Sequence, residues 1–190
     1  MMLALTIYPE WTCMIDLRRA NGTGYHADAK RNENRSYVPP DSLKGHWFAI
    51  HAGKHLGGGE GKSRHARGIA DIATAAGQAG FTLSGEADNA GWWFRVRHSD
   101  GLDVRYSSAT ADPPFVSSAI IGIAKIINVF DLNETSDIPG VVGWKKPKYY
   151  GWRFEYRRLN EPVRCPGSQG LWMVPKAIEE RMRQVGTMAA

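Results

Sequence analysis

Apolar and polar positions follow several different periods along the chain, and each period predicts an element. Residues 3–8 (LALTIY) are nearly all apolar and read as a first strand. Pro9 then opens a short helix, PEWTCMIDLRRANG. Proline is tolerated in a first helical turn, Glu10 suits the positive N-terminal end, Arg18 and Arg19 suit the negative C-terminal end, and Gly22 ends it. Trp11, Met14 or Ile15, and Leu17 or Arg18 lie near one face of that helix. Residues 30–38 form an extended segment that stops at Pro39-Pro40. The run HWFAIHAG (46–53) is apolar without alternation, as in a strand covered on both sides. A glycine-rich loop (53–63) and a helix (RHARGIADIATAAGQAG) follow, then a short strand, FTLSG (81–85).

Residues 91–108 predict a hairpin turning at Asp100-Gly101, with Trp93, Arg95 and Arg97 on one face and Phe94 and Val96 on the other. The longest apolar run, VSSAIIGIAKIINVFD (116–131), reads as a central strand in which Gly122 allows a bend. In the next strand Tyr150, Trp152, Phe154 and Tyr156 recur at period two. The turn CPGSQG (165–170) leads to a last strand, LWMVP, and a C-terminal helix from Pro175. About seven strands with short helices between them, and no regular βαβ alternation, favour an α+β fold built on a small mixed barrel.

Composition narrows the class. The length of 190 residues suits a single domain, 1–190, with a core of its own. The two cysteines, Cys13 and Cys165, stand apart, which argues against a zinc framework or a disulfide scaffold. The N-terminus lacks a basic region and a small-residue cleavage site, and no apolar run has the length of a membrane span. The expectation is a soluble, cytoplasmic chain without a membrane partner, metal or cofactor.

Charge changes the picture more. The net charge is +5, and the segment 144–164 carries it: seven cations, among them Lys145, Lys148 and Arg153, stand against Glu155 and Glu161. Aromatic residues interleave with them. Cations suit phosphates and rings suit bases, so the segment fits a nucleic-acid surface. A strand with a buried aromatic face and a solvated basic face explains the alternation equally well, but not the single sign of the exposed side.

Two motifs fail on inspection. GGGEGKS (57–63) lies between a strand and a helix, yet the first glycine that a phosphate-binding loop requires falls on Leu56. His51 and His55 straddle a glycine and have no carboxylate or thiol cluster to complete a metal site. The string KRNENR (30–35) carries more. In an extended chain Arg31, Glu33 and Arg35 share one face and Lys30, Asn32 and Asn34 the other. A glutamate two residues from an arginine can hold the guanidinium flat and aim its donors at a carbonyl or phosphate. Taken alone, the string also fits an exposed strand of self-paired charges.

Several strings in order resemble the ASCH family, named for homology to the activating signal cointegrator. They are ALTIYPEW (4–11), KRNENR (30–35), FAIHAGK (48–54), AIIGIAKIINV (119–129) and GWRFEYRRLNEPVRCPGSQGLWMVP (151–175). The resemblance leaves residues from about 56 to 115 uncovered, which reads as an inserted helix plus the tryptophan-rich hairpin. It implies a PUA-like β-barrel with flanking short helices. It also implies a cleft beside the first helix, where Lys30, Glu33 and Arg35 gather with Trp11 and Lys54. Members of the family are thought to bind RNA or single-stranded DNA, and related barrels flip modified bases into a pocket.

Some small members are amidohydrolases of a modified cytidine that use a lysine, a threonine three residues later and a remote carboxylate. Ribonuclease activity is also associated with the family. This chain departs from that pattern. Glu33 stands three residues after Lys30, Lys125 stands where many relatives carry an acid, and Asp131 and Glu134 are only nearby acids.

The expectation is therefore a nucleic-acid-binding module for RNA or single-stranded DNA, holding a base in the cleft. Arg35 would be the donor, Trp11 the wall, and the basic strand with Lys145, Lys148 and Arg153 the backbone track. The alternative is a hydrolase in which Lys30, its pKa lowered by Arg31, Arg35 and burial, acts as base and Glu33 as acid. It would act on an N4-acylated cytidine or an RNA phosphodiester. A third reading makes the Trp92-Trp93 hairpin a protein-interaction surface.

Overall fold

The computed structural model describes residues 1–7, 9–17, 19, 25, 29–53, 77, 80–88, 91–107, 118–132 and 149–187. Within that range the side chains of 9, 10, 13, 85–88, 91–94 and 105–107 are not described. A mixed six-stranded sheet, curled into a half-barrel, forms the body of the fold. Its strands are β1 (Leu3–Ile7), β2 (Asn32–Arg35), β3 (Trp47–Ala52), β7 (Ala119–Asp131), β8 (Tyr150–Arg164) and β9 (Leu171–Met173). They run in the order β2-β8-β7-β3-β1-β9. β1 lies parallel to β3, with Ala4 opposite Ala49, and antiparallel to β9; the other pairs are antiparallel.

The curl has a local cause. β7 and β8 are long, and their register slips between Ile120 and Gly122 and again between Ile126 and Asn128. Such bulges bend a strand and raise its twist. At the first slip the chain needs glycine: a β-carbon on Gly122 would lie 2.4 Å from the Tyr156 ring and 2.6 Å from the Arg157 carbonyl oxygen. The expected alternation in β8 holds, because Trp152, Phe154 and Tyr156 are buried while Arg153 and Arg157 are exposed. These rings join Leu5, Ile7, Phe48, Ile50, Ile121 and Ile126 in the main core. On the other face Ala4, Ala49, Ile120, Leu159, Val163 and Val174 pack with Met182 of the C-terminal helix α2 (Lys176–Val185).

The first helix differs from expectation. α1 covers Pro9–Ile15 and stops well short of Gly22. The carbonyls of its last turn are taken from outside. The Lys30 N–H donates to Met14 O (2.8 Å), and Arg31 Nη1 donates to Ile15 O (2.6 Å). Both acceptors are thus satisfied from outside the helix. The helix is also buried on two sides rather than one. Ile15 faces the main core, whereas Met14 and Leu17 pack with Phe81, Val96 and Leu102.

Phe81 and Val96 belong to a second sheet of three antiparallel strands, β4 (Phe81–Asp88), β5 (Gly91–His98) and β6 (Asp103–Ser107), and Leu102 immediately precedes β6. It contains the expected hairpin, and its turn uses Gly101 at φ 95° and the Asp100 side chain, which accepts from the Leu102 N–H (3.0 Å). Nine strands are described against a count of about seven, yet each falls on a segment read as a strand or as one arm of the hairpin; 81–107 forms a three-stranded sheet docked on α1. The glycine-rich loop and almost all of the helix expected after it lie outside the described residues, as do the side chains of Trp92 and Trp93. Among the described residues no helix is long and apolar enough to cross a membrane.

Candidate functional site

α1, β2, the β1–β3 end of the sheet and the loop between β8 and β9 surround a cavity of about 900 Å³. Four residues singled out in the sequence line it together: Trp11, Lys30, Glu33 and Arg35. Thr6, His51, Tyr149 and residues 166–170 form much of the remainder.

Strand β2 explains how these charges meet. It pairs antiparallel with β8, Glu33 opposite Trp152 and Arg35 opposite Tyr150, so Glu33 and Arg35 project to the same side. Lys30 precedes the strand. Its Nζ folds back to donate to the Asn32 carbonyl and to Glu33 Oε2 (2.8 Å), and it sits 5.5 Å from the centre of the Trp11 ring. Lys30 is buried. Asn32 points into the protein, where its Nδ2 donates to Asn34 Oδ1 (2.6 Å) and where the absence of a β-carbon on Gly151 leaves it room.

Arg31 corrects the alternation expected for this string. It does not share a face with Glu33 and Arg35. Its guanidinium caps α1 and stacks on Tyr25 (4.7 Å) and Tyr156 (5.7 Å). Burial pulls its pKa below the ordinary arginine value, opposed by Tyr25, Tyr156 and Asp16. It is half-buried against these rings and lies outside the cavity lining.

Glu33 sits between two cations. Its Oε2 accepts from Lys30, and its Oε1 forms an ion pair with Arg35 Nη2 at 3.0 Å. Arg35 Nη2 also donates to the Thr6 carbonyl (3.2 Å). Both contacts anchor the Nη2 end of the guanidinium. Arg35 Nε is closed off without a partner, and Nη1 makes no hydrogen bond among the described residues. Side-chain exposure rises along the row, from 6% at Lys30 to 14% at Glu33 and 22% at Arg35. Lys30 thus marks the floor and Arg35 the mouth. Two cations and one acid leave the row with one positive charge.

The facing wall was legible only as a turn. Three of its carbonyls are tied to β1 and β3. His51 Nε2 donates to Cys165 O (3.2 Å), the Thr6 hydroxyl donates to Ser168 O (2.5 Å), and the Thr6 N–H donates to Gly170 O (3.0 Å). Trp172 Nε1 donates in turn to Thr6 Oγ1 (2.9 Å). His51 Nδ1 lies 3.2 Å from the same hydroxyl oxygen, and burial lowers the His51 pKa from its ordinary 6.5. Gly167 packs directly on the imidazole: a β-carbon there would stand 2.1 Å from Cε1. Burial likewise raises the Cys165 thiol pKa, which keeps it in the unreactive form.

Of the other expected residues, Arg153 is exposed on β8 away from the cavity lining. Lys54, Lys145 and Lys148 lie outside the described residues, although Gly53, next to Lys54, and Tyr149, next to Lys148, line the cavity. Arg157 and Lys125 both pair with Glu155 and flank Trp47, and Arg158 pairs with Asp16, so part of the basic strand is compensated within the fold. Thr6, His51 and Ser168 were not foreseen as wall residues. The quoted strings contained all three, but nothing in their spacing joins positions more than a hundred residues apart.

No family model matches the chain, and no curated protein matches it.

Proposed function

We propose that the chain is a nucleic-acid-binding module of PUA-like type, which holds one base of single-stranded RNA or DNA in the cavity beside α1. The observation that carries this is the convergence of Trp11, Lys30, Glu33 and Arg35 on one concave surface. The cavity volume of about 900 Å³ falls in the range of small-ligand sites and accommodates a nucleotide. Trp11 and Tyr149 offer ring surface. Arg35 offers an aimed donor, and the row's single positive charge suits a polyanion.

The hydrolytic alternative uses Lys30 as base. Lys30 Nζ already donates to Glu33 and to the Asn32 carbonyl, and the residue is only 5% exposed, which favours a supporting role.

The test is fluorescence anisotropy with labelled single-stranded homopolymers at low salt, using the whole chain and Trp11→Ala, with thermal melts run in parallel. Base stacking supplies about 1–3 kcal/mol per base, so the variant should bind at least about fivefold more weakly. Absence of binding to every homopolymer, or equal affinity of the two proteins, overturns the reading. Release of acetate from N4-acetylcytidine that disappears in Lys30→Ala would instead establish the hydrolase.

A further inference from the structure

The row from Lys30 to Arg35 also says which part of a nucleotide goes where. This rests on the reading just given. Lys30 is sealed on the floor, with acceptors and an aromatic face around its ammonium. Both Glu33 oxygens are engaged. Arg35 Nη2 is engaged twice, and Nε is closed off. The cationic donor left for a ligand in this row is Arg35 Nη1, on the most exposed side chain of the three, at the mouth.

A phosphodiester keeps its charge at lower desolvation cost at a mouth than on a floor, whereas a base loses little by burial against a ring. The row's net charge of +1 matches the single charge of an internal linkage, and a terminal phosphate monoester carries close to two. Among the described residues the opposite wall adds no anionic group, and the carbonyls of Cys165, Ser168 and Gly170 are turned to His51 and Thr6. We infer that Arg35 is the backbone-reading residue: the cavity takes a nucleotide within a strand, with an internal phosphodiester on Arg35 Nη1 at the mouth and the base inside. Free nucleosides and mononucleotides are poor ligands, and Glu33 is the positioning residue that aims the guanidinium.

A two-by-two binding experiment tests this on the whole chain. The proteins are wild type and Arg35→Ala. The probes are the tightest-binding labelled homopolymer and the same oligomer with neutral methylphosphonate linkages. Arg35→Ala should weaken binding to the charged oligomer by about 10- to 100-fold, as expected for a charge-assisted hydrogen bond. It should change binding to the neutral oligomer by less than about twofold, because the two changes remove the same contact. The salt slope on the charged oligomer should also fall by about 0.7.

Arg35→Lys, which keeps the charge, should recover part of the loss and shows that the fold survives at this position. The matching nucleoside should compete at least about tenfold more weakly than the unlabelled oligomer, by the same contact. Equal loss on both oligomers would mean that Arg35 reads the base, and would sink the inference while leaving the binding module standing. Failure of every homopolymer to bind removes both.

Discussion

Replacing Glu33 by alanine isolates the energetics of the site from its ligand. The carboxylate is 14% exposed and holds Lys30 at 2.8 Å and Arg35 at 3.0 Å. Without it the ammonium of the buried Lys30 keeps, among the described residues, the Asn32 carbonyl and the face of Trp11. Removing one partner of a fully buried pair costs about 3–5 kcal/mol, chiefly because the surviving charge stays buried. The residual access of solvent to Glu33 places the expected cost near the low end, about 3 kcal/mol. A chain of this length has an unfolding entropy near 0.4 kcal/mol/K, so the thermal midpoint should fall by about 7 °C.

The decisive arm adds Lys30→Met. That change removes the stranded charge and keeps the bulk, so the double variant should recover at least about half of the loss. Calorimetry and urea titration give the numbers. Asp41→Ala serves as contrast, since its 2.7 Å pair with Lys44 is exposed and its loss should leave the midpoint in place. A single variant with an unchanged midpoint, or a double variant no better than the single, would refute the sealed floor.

Two other predictions concern the facing wall. Gly167→Ala forces a methyl group against the His51 ring, which Thr6 and Cys165 hold in place, so it should cost about 1–3 kcal/mol in denaturant titration and weaken oligonucleotide binding. His51 should make the fold less stable in acid. Burial keeps its folded-state pKa below the ordinary 6.5, so the unfolded chain binds its proton first as pH falls. Stability therefore declines below about pH 6.5 and levels off once the folded value is passed; His51→Gln should flatten that limb in melts recorded against pH.

Much of this architecture was legible because it rests on period. The alternation of Trp152, Phe154 and Tyr156, the continuous run of β3 and the Asp100-Gly101 turn each depend on neighbours in sequence. The string at 30–35 was legible in part. Glu33 and Arg35 obey strand alternation, but Lys30 stands before the strand, and Arg31 is diverted by the open carbonyls of α1. The end of α1 was misjudged for the same reason, since its partners come from fifteen or so residues downstream rather than from its own next turn. The wall at 166–170 was legible as a turn and not as a site. Its ties to Thr6 and His51 span separations of 162 and 114 residues, and no local pattern encodes them.

The double duty of the 30–35 segment constrains how this site can change. Arg31 and Asn32 are committed to the interior, while Glu33, Asn34 and Arg35 line the cavity. An insertion or deletion of one residue between Arg31 and Glu33 would turn Glu33 and Arg35 to the opposite face of the strand, or draw Arg31 off the end of α1. Specificity can therefore drift by substitution at 34 and 35, but the segment cannot change length without unmaking the helix beside it. In a library built on this scaffold, sorting for new ligands belongs at Asn34, Arg35 and Ser168, with 31 and 32 left alone.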